Sequence, residues 1–190
     1  KGSEVNVASV IGFPHGTASV ASKEAEIRRA ILDGAKEVDV VMNYSRLLSE
    51  DLDYLSAEIR ALVARTRNYG VLIKVIFENH YLDTAAKRAA CRICVAEQVD
   101  FVKTSSGFAP SGAKAEDLHL MHSLCAPHVR VKASGGIRTL DAALAALSLG
   151  ASRIGTSSTQ EILAEAADRE AKGTLALMTP EEALAGNFLA

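Results

Sequence analysis

The chain has 190 residues, of which 48% are hydrophobic and 23% are charged, and its formal net charge is −2. This length suffices for one domain with a sizeable core, and the composition is ordinary for a globular protein. The near-neutral charge gives no electrostatic reason to expect nucleic acid or an anionic membrane as a partner, and no apolar run approaches the ~20 residues of a membrane span. The chain has three cysteines, too few to suggest a disulfide framework, and its first residues resemble neither a signal nor a transit peptide. We therefore expect a reducing, cytoplasmic location.

The pattern of apolar residues predicts strands and helices in regular alternation. Runs rich in β-branched residues are followed by segments with apolar residues at the i, i+3, i+4 spacing of an amphipathic helix. Gly34 and Gly70 follow two of these helices, and Thr179 with Glu182 fits a helix-starting capping box. The predicted strands are 5–13, 37–43, 71–78, one around Lys103, 129–133 and 153–155, and the predicted helices are 22–33, 52–68, 83–97, 114–125, 139–149, one after 158 and one from 179.

This alternation predicts a parallel β-sheet, because each strand is followed by a helix long enough to cross back over the sheet. The strand ends recur at intervals of roughly 30 residues, the length of a βαβ unit. Two architectures fit, a (β/α)₈ barrel and a doubly wound open sheet. No G-x-G-x-x-G follows the first strand, which argues against a dinucleotide-binding fold. No linker or composition shift divides the chain, so we expect residues 1–190 to form a single domain.

Four predicted strands each carry one charged residue between uncharged neighbours, which are all apolar except Thr104, and these charged residues are Asp39, Lys74, Lys103 and Lys132. A single buried lysine is more often part of a structural ion pair than of an active site. In a barrel, however, four such side chains project into one interior, near the C-terminal face where barrel active sites lie. Repulsion among three lysines favours the loss of a proton from one of them. A neutral lysine beside a cationic one is suited to forming a Schiff base with a carbonyl substrate.

The turns after the last three strands, 104–107, 134–136 and 155–158, are small, polar and rich in glycine and serine. The latter two lead into helices, whose N-termini bind phosphate well. Each turn alone is weak evidence, because glycine and serine are also ordinary loop residues. Two such turns on the last two strands together favour a phosphate site, to which Arg138 can add charge. The five histidines show no metal or catalytic-triad pattern, and Cys91 and Cys94 have no second ligand pair, so no metal site is expected.

The sequence resembles the deoxyribose-phosphate aldolases, which are class I aldolases with a TIM-barrel fold. The blocks that carry the resemblance are collinear: 10–16, 33–43, 74–78, 100–108, 131–139 and 150–158. The resemblance implies that Lys103 is the Schiff-base lysine, that Lys132 is the cationic lysine depressing its pKa, and that Asp39 belongs to a proton relay with Lys74 as its partner. It also implies phosphate contacts at Gly107, Gly135, Gly136, Gly155, Ser157 and Ser158.

This resemblance implies reversible cleavage of 2-deoxy-D-ribose 5-phosphate to glyceraldehyde 3-phosphate and acetaldehyde, with no metal and no organic cofactor. An uncapped edge beside the first predicted strand favours a homo-oligomer, a dimer or tetramer. Three features differ from the family. One is that the sequence ends in Phe188-Leu-Ala190, where the resemblance leads us to expect a tyrosine that assists proton transfer. Two strand–helix units are expected before residue 5, so this chain is predicted to supply six strands of the barrel. Residues 77–79 are Phe-Glu-Asn, where an aliphatic residue, Glu and Thr are expected. The alternatives are a related lysine-dependent enzyme acting on another sugar phosphate, and an inactive chain that only binds one.

Overall fold

The computed structural model describes residues 4–189, which contain one six-stranded sheet. All five strand pairs are parallel, and each strand pairs with the next strand in the sequence. This order lacks the reversal that defines a doubly wound sheet, so the barrel-type prediction is confirmed. The strands are β1 (Ala8–Ile11), β2 (Glu37–Val41), β3 (Leu72–Ile76), β4 (Phe101–Lys103), β5 (Arg130–Ser134) and β6 (Ala151–Gly155).

The helices between the strands cover one face of the sheet. Most start at a side chain that accepts a backbone N–H, as Ser19, Asp51 and Thr139 do, because the first N–H groups of a helix have no partner within it. The helices within residues 4–189 are α1 (Val20–Leu32), α2 (Tyr44–Leu48), α3 (Leu52–Arg67), α4 (Thr84–Ala96), α5 (Ala115–Cys125), α6 (Leu140–Ser148), α7 (Thr159–Ala171) and α8 (Pro180–Ala185), with a 3₁₀ helix at Asn79–Tyr81.

The sheet is strongly curled, as contacts between strands that are not neighbours show. Asp39 on β2 bonds to Lys132 on β5, although β3 and β4 lie between them in the sheet. Glu37 on β2 pairs with Arg153 on β6, four strands away. Such contacts require the sheet to curve around an interior, so the six strands form an incomplete barrel.

Strand periodicity separates the apolar and charged residues of β2. Val38 and Val40 join the core between sheet and helices, and their exposures are 0% and 1%. Glu37 and Asp39, at the alternate positions, lie on the opposite face and therefore point into the barrel interior. Within residues 4–189, no helix is long and apolar enough to cross a membrane.

Several predicted boundaries were wrong. The first strand was expected at 5–13 but spans only Ala8–Ile11, and Val5 and Val7 are exposed. α2 and the 3₁₀ helix were not predicted. The predicted capping box is confirmed, because Thr179 and Glu182 accept each other's backbone N–H.

Candidate active site

The four charged strand residues predicted from the sequence converge in the barrel interior. Asp39 Oδ2 accepts hydrogen bonds from Lys103 Nζ at 2.7 Å and from Lys132 Nζ at 2.8 Å. Asp39 Oδ1 accepts from Lys74 Nζ at 2.8 Å. Register explains the convergence, because Asp39 lies beside Lys74 and Lys103 beside Lys132 in neighbouring strands. One carboxylate therefore contacts three amines in a cluster that is largely removed from water.

Burial is the main cause of the lowered pKa of Lys103. The Asp39 carboxylate opposes this shift, while the charges of Lys132 and Lys74 add to it. Repulsion from the other lysines, expected from the sequence, therefore contributes to the shift, but less than burial does. Burial also disfavours the Asp39 carboxylate, yet the charges and hydrogen bonds of Lys103 and Lys132 prevail, so the pKa of Asp39 lies well below its usual range. The cluster therefore combines an ionised carboxylate with an amine that loses its proton more easily than an exposed lysine does.

Two further charged residues, Glu37 and Arg153, extend the cluster, and neither was predicted from the sequence. Glu37 Oε2 forms an ion pair with Lys74 Nζ at 2.6 Å and another with Arg153. Arg153 in turn lies over the Phe101 ring, with 4.9 Å from its guanidinium carbon to the ring centroid. One sequence signal was available, because Glu37 stands two residues before Asp39 and so shares its face of the strand. Its partner on β6 follows only from the curvature of the sheet.

Three of the six predicted phosphate contacts line one cavity at the mouth of the barrel. The cavity has a volume of about 370 Å³, and Arg138 contributes to its wall. Its lining also includes Gly112, which sequence reasoning did not single out. The predicted contacts that line this cavity are Gly107, Gly135 and Gly136.

The other three predicted phosphate contacts lie on the turn after β6, and none of them lines this cavity. A methyl group at Gly155 would lie 3.3 Å from Lys132 Cε and 2.9 Å from Ser134 Cβ, so its lack of a side chain leaves room for Lys132. Ser157 is exposed. Ser158 is the N-cap of α7, but its side chain accepts no capping hydrogen bond.

Glu78 holds the turn that follows β4, a role that sequence reasoning also missed. Its carboxylate accepts the backbone N–H of Ser106 at 3.2 Å and the Ser106 hydroxyl. Glu78 is buried and has a left-handed φ of 58°, which is rare for a residue with a side chain. Asn79, which stands where the resemblance predicts Thr, is also buried, and its Nδ2 donates to the Met121 sulfur at 3.3 Å. The turn carrying Gly107 is therefore fixed by the end of β3.

The residues that bind metals in other proteins are not gathered here. Among residues 4–189, no group of three or more His, Cys, Asp or Glu side chains is arranged to hold a metal ion. Cys91, Cys94 and Cys125 are free, buried and part of the hydrophobic core between sheet and helices. They therefore pack as small apolar residues, as the position of Cys91 and Cys94 within a helix predicts.

Known proteins are similar to this chain in both sequence and fold. A family model described as DeoC/LacD family aldolase matches residues 1–165. The deoxyribose-phosphate aldolase of Rhodopirellula baltica is 46% identical over 165 residues, which cover 87% of this chain and 68% of that protein.

Two solved structures of aldolases are also similar to this chain in fold and sequence. The structure described as "QR15, an Aldolase" has a TM-score of 0.84 and 39% identity, covering 90% of this chain and 76% of its own. The tetrameric deoxyribose phosphate aldolase from Aeropyrum pernix has a TM-score of 0.78 and 34% identity, covering 85% of this chain and 68% of its own. The chain belongs to the DeoC/LacD family of aldolases.

Proposed function

We propose that this chain cleaves 2-deoxy-D-ribose 5-phosphate reversibly to D-glyceraldehyde 3-phosphate and acetaldehyde, with Lys103 as the Schiff-base residue. The observation that carries the proposal is the buried contact of Lys103 with Asp39, whose Oδ2 also binds Lys132. An amine with a lowered pKa, beside a carboxylate and a second amine, meets the needs of imine chemistry. The aldolase names of the family and of the Rhodopirellula relative support the same reaction.

In the proposed mechanism, neutral Lys103 attacks the C1 aldehyde and water leaves to give an iminium ion. The C2–C3 bond then breaks, its electron pair moves into the iminium to form an enamine, and the C3 hydroxyl proton passes to the Asp39–Lys132 pair. Protonation of the enamine at C2 and hydrolysis of the imine release acetaldehyde and free Lys103. Lys74 holds Oδ1 of Asp39, which leaves Oδ2 directed at Lys103 and Lys132. This chemistry needs neither a metal nor an organic cofactor.

We place the substrate phosphate in the cavity beside Gly107, Gly135 and Gly136, where Arg138 supplies a positive charge. The turn with Gly155, Ser157 and Ser158 is proposed to complete the site from β6. In support, the Ser158 side chain does not cap α7, so it leaves the first N–H groups of that helix without a side-chain acceptor.

The proposal is tested by treating the chain with deoxyribose 5-phosphate and borohydride, then locating any adduct by mass spectrometry after digestion. We expect one reduced adduct, on the peptide that contains Lys103. Comparing acetaldehyde with dihydroxyacetone as the donor in the synthetic direction distinguishes this reaction from that of a related aldolase. Phosphate-ester binding without any adduct would instead support a binding chain and contradict the aldolase.

Replacing Gly135 by alanine is expected to raise the KM for deoxyribose 5-phosphate on the order of 10-fold, while adduct formation with acetaldehyde alone changes little. Gly135 has a φ of +85°, and an added Cβ would lie 2.8 Å from the Gly112 Cα, so the phosphate turn must move. Steady-state kinetics and trapping measure the two effects. Gly173→Ala is the matched control, because Gly173 also has a positive φ but meets nothing within 4 Å. Equal KM values for Gly135→Ala and the unaltered chain would contradict the proposed phosphate position.

We also propose that residues 1–190 act as one barrel domain, that the chain forms a homo-oligomer and that it works in the cytoplasm. The single sheet of the described residues supports one domain. The Aeropyrum pernix structure is described as tetrameric, which supports assembly of this chain into a dimer or tetramer. Light scattering coupled to size-exclusion chromatography tests the assembly. The three free, buried cysteines accord with a reducing compartment.

A further inference from the structure

Glu37 is a second buried carboxylate below the proposed catalytic cluster. It begins β2, is 4% exposed and lies on the same face of the strand as Asp39. Its carboxylate contacts Lys74 at 2.6 Å, pairs with Arg153 and accepts a hydrogen bond from Asn6 Nδ2 at 3.1 Å. Lys74 is fully buried and donates to Asp39 as well, so its ammonium group is held between two carboxylates.

The charges around Glu37 affect the electrostatic potential at Lys103. Lys103 is faced by Asp39 from β2, by Lys74 from β3 and by Lys132 from β5. Without Glu37, Asp39 would be the one carboxylate among the described residues that pairs with the three lysines of the cluster. With Glu37 present, the charge of Lys74 is shared, and more of the negative potential of Asp39 acts on Lys103 and Lys132.

The geometry distinguishes Glu37 from the many surface carboxylates of the chain. Lys74 Nζ has two anionic partners, at 2.6 and 2.8 Å, and both lie on β2. Moving or neutralising Glu37 therefore alters the position and the charge balance of the group that holds Oδ1 of Asp39. Arg153 acts on the same network with the opposite sign, because it neutralises Glu37 from β6.

We propose that Glu37 is a positioning residue that, through Lys74, sets the orientation of Asp39 and the positive charge that Lys103 faces. This inference rests on the proposed Schiff-base function. Glu37 has no proposed contact with the substrate and acts only through Lys74 and Asp39. Arg153 opposes this effect, because its positive charge partly neutralises the Glu37 carboxylate.

The experiment measures the rate of reductive trapping of acetaldehyde on Lys103 as a function of pH, using cyanoborohydride and mass spectrometry. Only neutral Lys103 forms the imine, so the rate rises as the pH passes through its pKa. Glu37→Gln removes a negative charge and disfavours the ammonium form, so the rise should move to lower pH by about one unit. Arg153→Gln removes a positive charge and should move the rise to higher pH, by less, because Arg153 is partly exposed to solvent.

Shifts of opposite sign support the proposal, because a merely structural role lowers activity in both variants without separating the two pH profiles. Glu97→Gln is the control, since Glu97, the residue after α4, pairs with the largely exposed Arg60 of α3, and neither residue lies on a strand of the barrel. Should Glu37→Gln fail to fold, as circular dichroism would show, Glu37→Asp and Arg153→Gln decide between the outcomes. The proposal then requires a smaller shift to lower pH for Glu37→Asp, because its carboxylate is kept but lies farther from Lys74, and a shift to higher pH for Arg153→Gln. Unshifted profiles, or shifts of one sign, overturn it, whereas the absence of an adduct on the unaltered chain overturns the Schiff-base function itself.

Discussion

Replacing Lys103 by methionine is expected to abolish the borohydride adduct and to lower kcat/KM for deoxyribose 5-phosphate on the order of 10⁴-fold or more. The loss follows because methionine fills a similar volume but has no amine to form the imine. The fold should survive, since Asp39 keeps Lys74 and Lys132 as partners. Mass spectrometry after reduction and an acetaldehyde-release assay measure the two effects.

Lys132→Met is the matched comparison for this result. It removes an amine that contacts the same Asp39 oxygen, but it leaves Lys103 in place. We therefore expect this variant to form an adduct on Lys103 while turning over slowly, because the relay has lost its cationic member. Two results would contradict these roles: an adduct that still forms in Lys103→Met, or an adduct found on Lys132 in the unaltered chain. Either result would indicate that Lys132 is the Schiff-base residue.

The central residues of the candidate site could be predicted because strand periodicity makes them conspicuous. A charged residue such as Asp39 or Lys74, with apolar residues on both sides, can be placed on the interior face of a buried strand from local sequence alone. Glu37 and Arg153 escaped this reasoning. Glu37 is the first residue of β2, where charged residues are common, and Arg153 lies at the centre of β6 beside Ser152 rather than between apolar residues. Their pairing depends on a sheet curved across four strands.

The errors in the strand boundaries have a related cause. Val5 and Val7 are β-branched and locally favour a strand, yet β1 begins only at Ala8. Within residues 4–189, β1 is hydrogen-bonded to β2 alone, and the paired register starts where Ala8 meets Glu37. The neighbouring strand thus determines where β1 begins, and the strand propensities of its own residues do not predict that position. The incomplete closure of the sheet leaves Val10, in register with Asp39, 47% exposed.

A buried ion pair between Lys23 and Glu58 joins α1 to α3, and no pattern in the sequence predicted it. Both are 0% exposed, and their side chains meet at 2.8 Å. On amphipathic helices such residues are usually assigned to the solvent-facing side, and their pairing spans 35 positions of the sequence. Lys23 also donates to the carbonyl oxygens of Gly16 and Val41, and Glu58 accepts the backbone N–H of Asn43. The pair therefore satisfies backbone groups in the turns that follow β1 and β2.

Lys23→Met is expected to lower the free energy of unfolding by about 3–5 kcal/mol, because it leaves the Glu58 carboxylate buried without its cation. Two buried carbonyl groups lose their donor as well, which adds to the loss. Urea denaturation followed by circular dichroism measures the change, provided that the slope of the transition with denaturant stays constant.

Arg29→Met is the control for this prediction, since the Arg29–Asp33 pair is largely exposed and should contribute no more than about 1 kcal/mol. Comparable denaturation midpoints for Lys23→Met and Arg29→Met would contradict the assigned importance of the buried pair. Asp39 lies on β2, and this pair secures the end of β2 and the turn that follows it. A destabilised variant that still folds should therefore also lose catalytic rate. That loss should fall mainly on kcat, since Asp39 is proposed to act in the chemical step and the proposed phosphate cavity lies on the turns after β4 and β5.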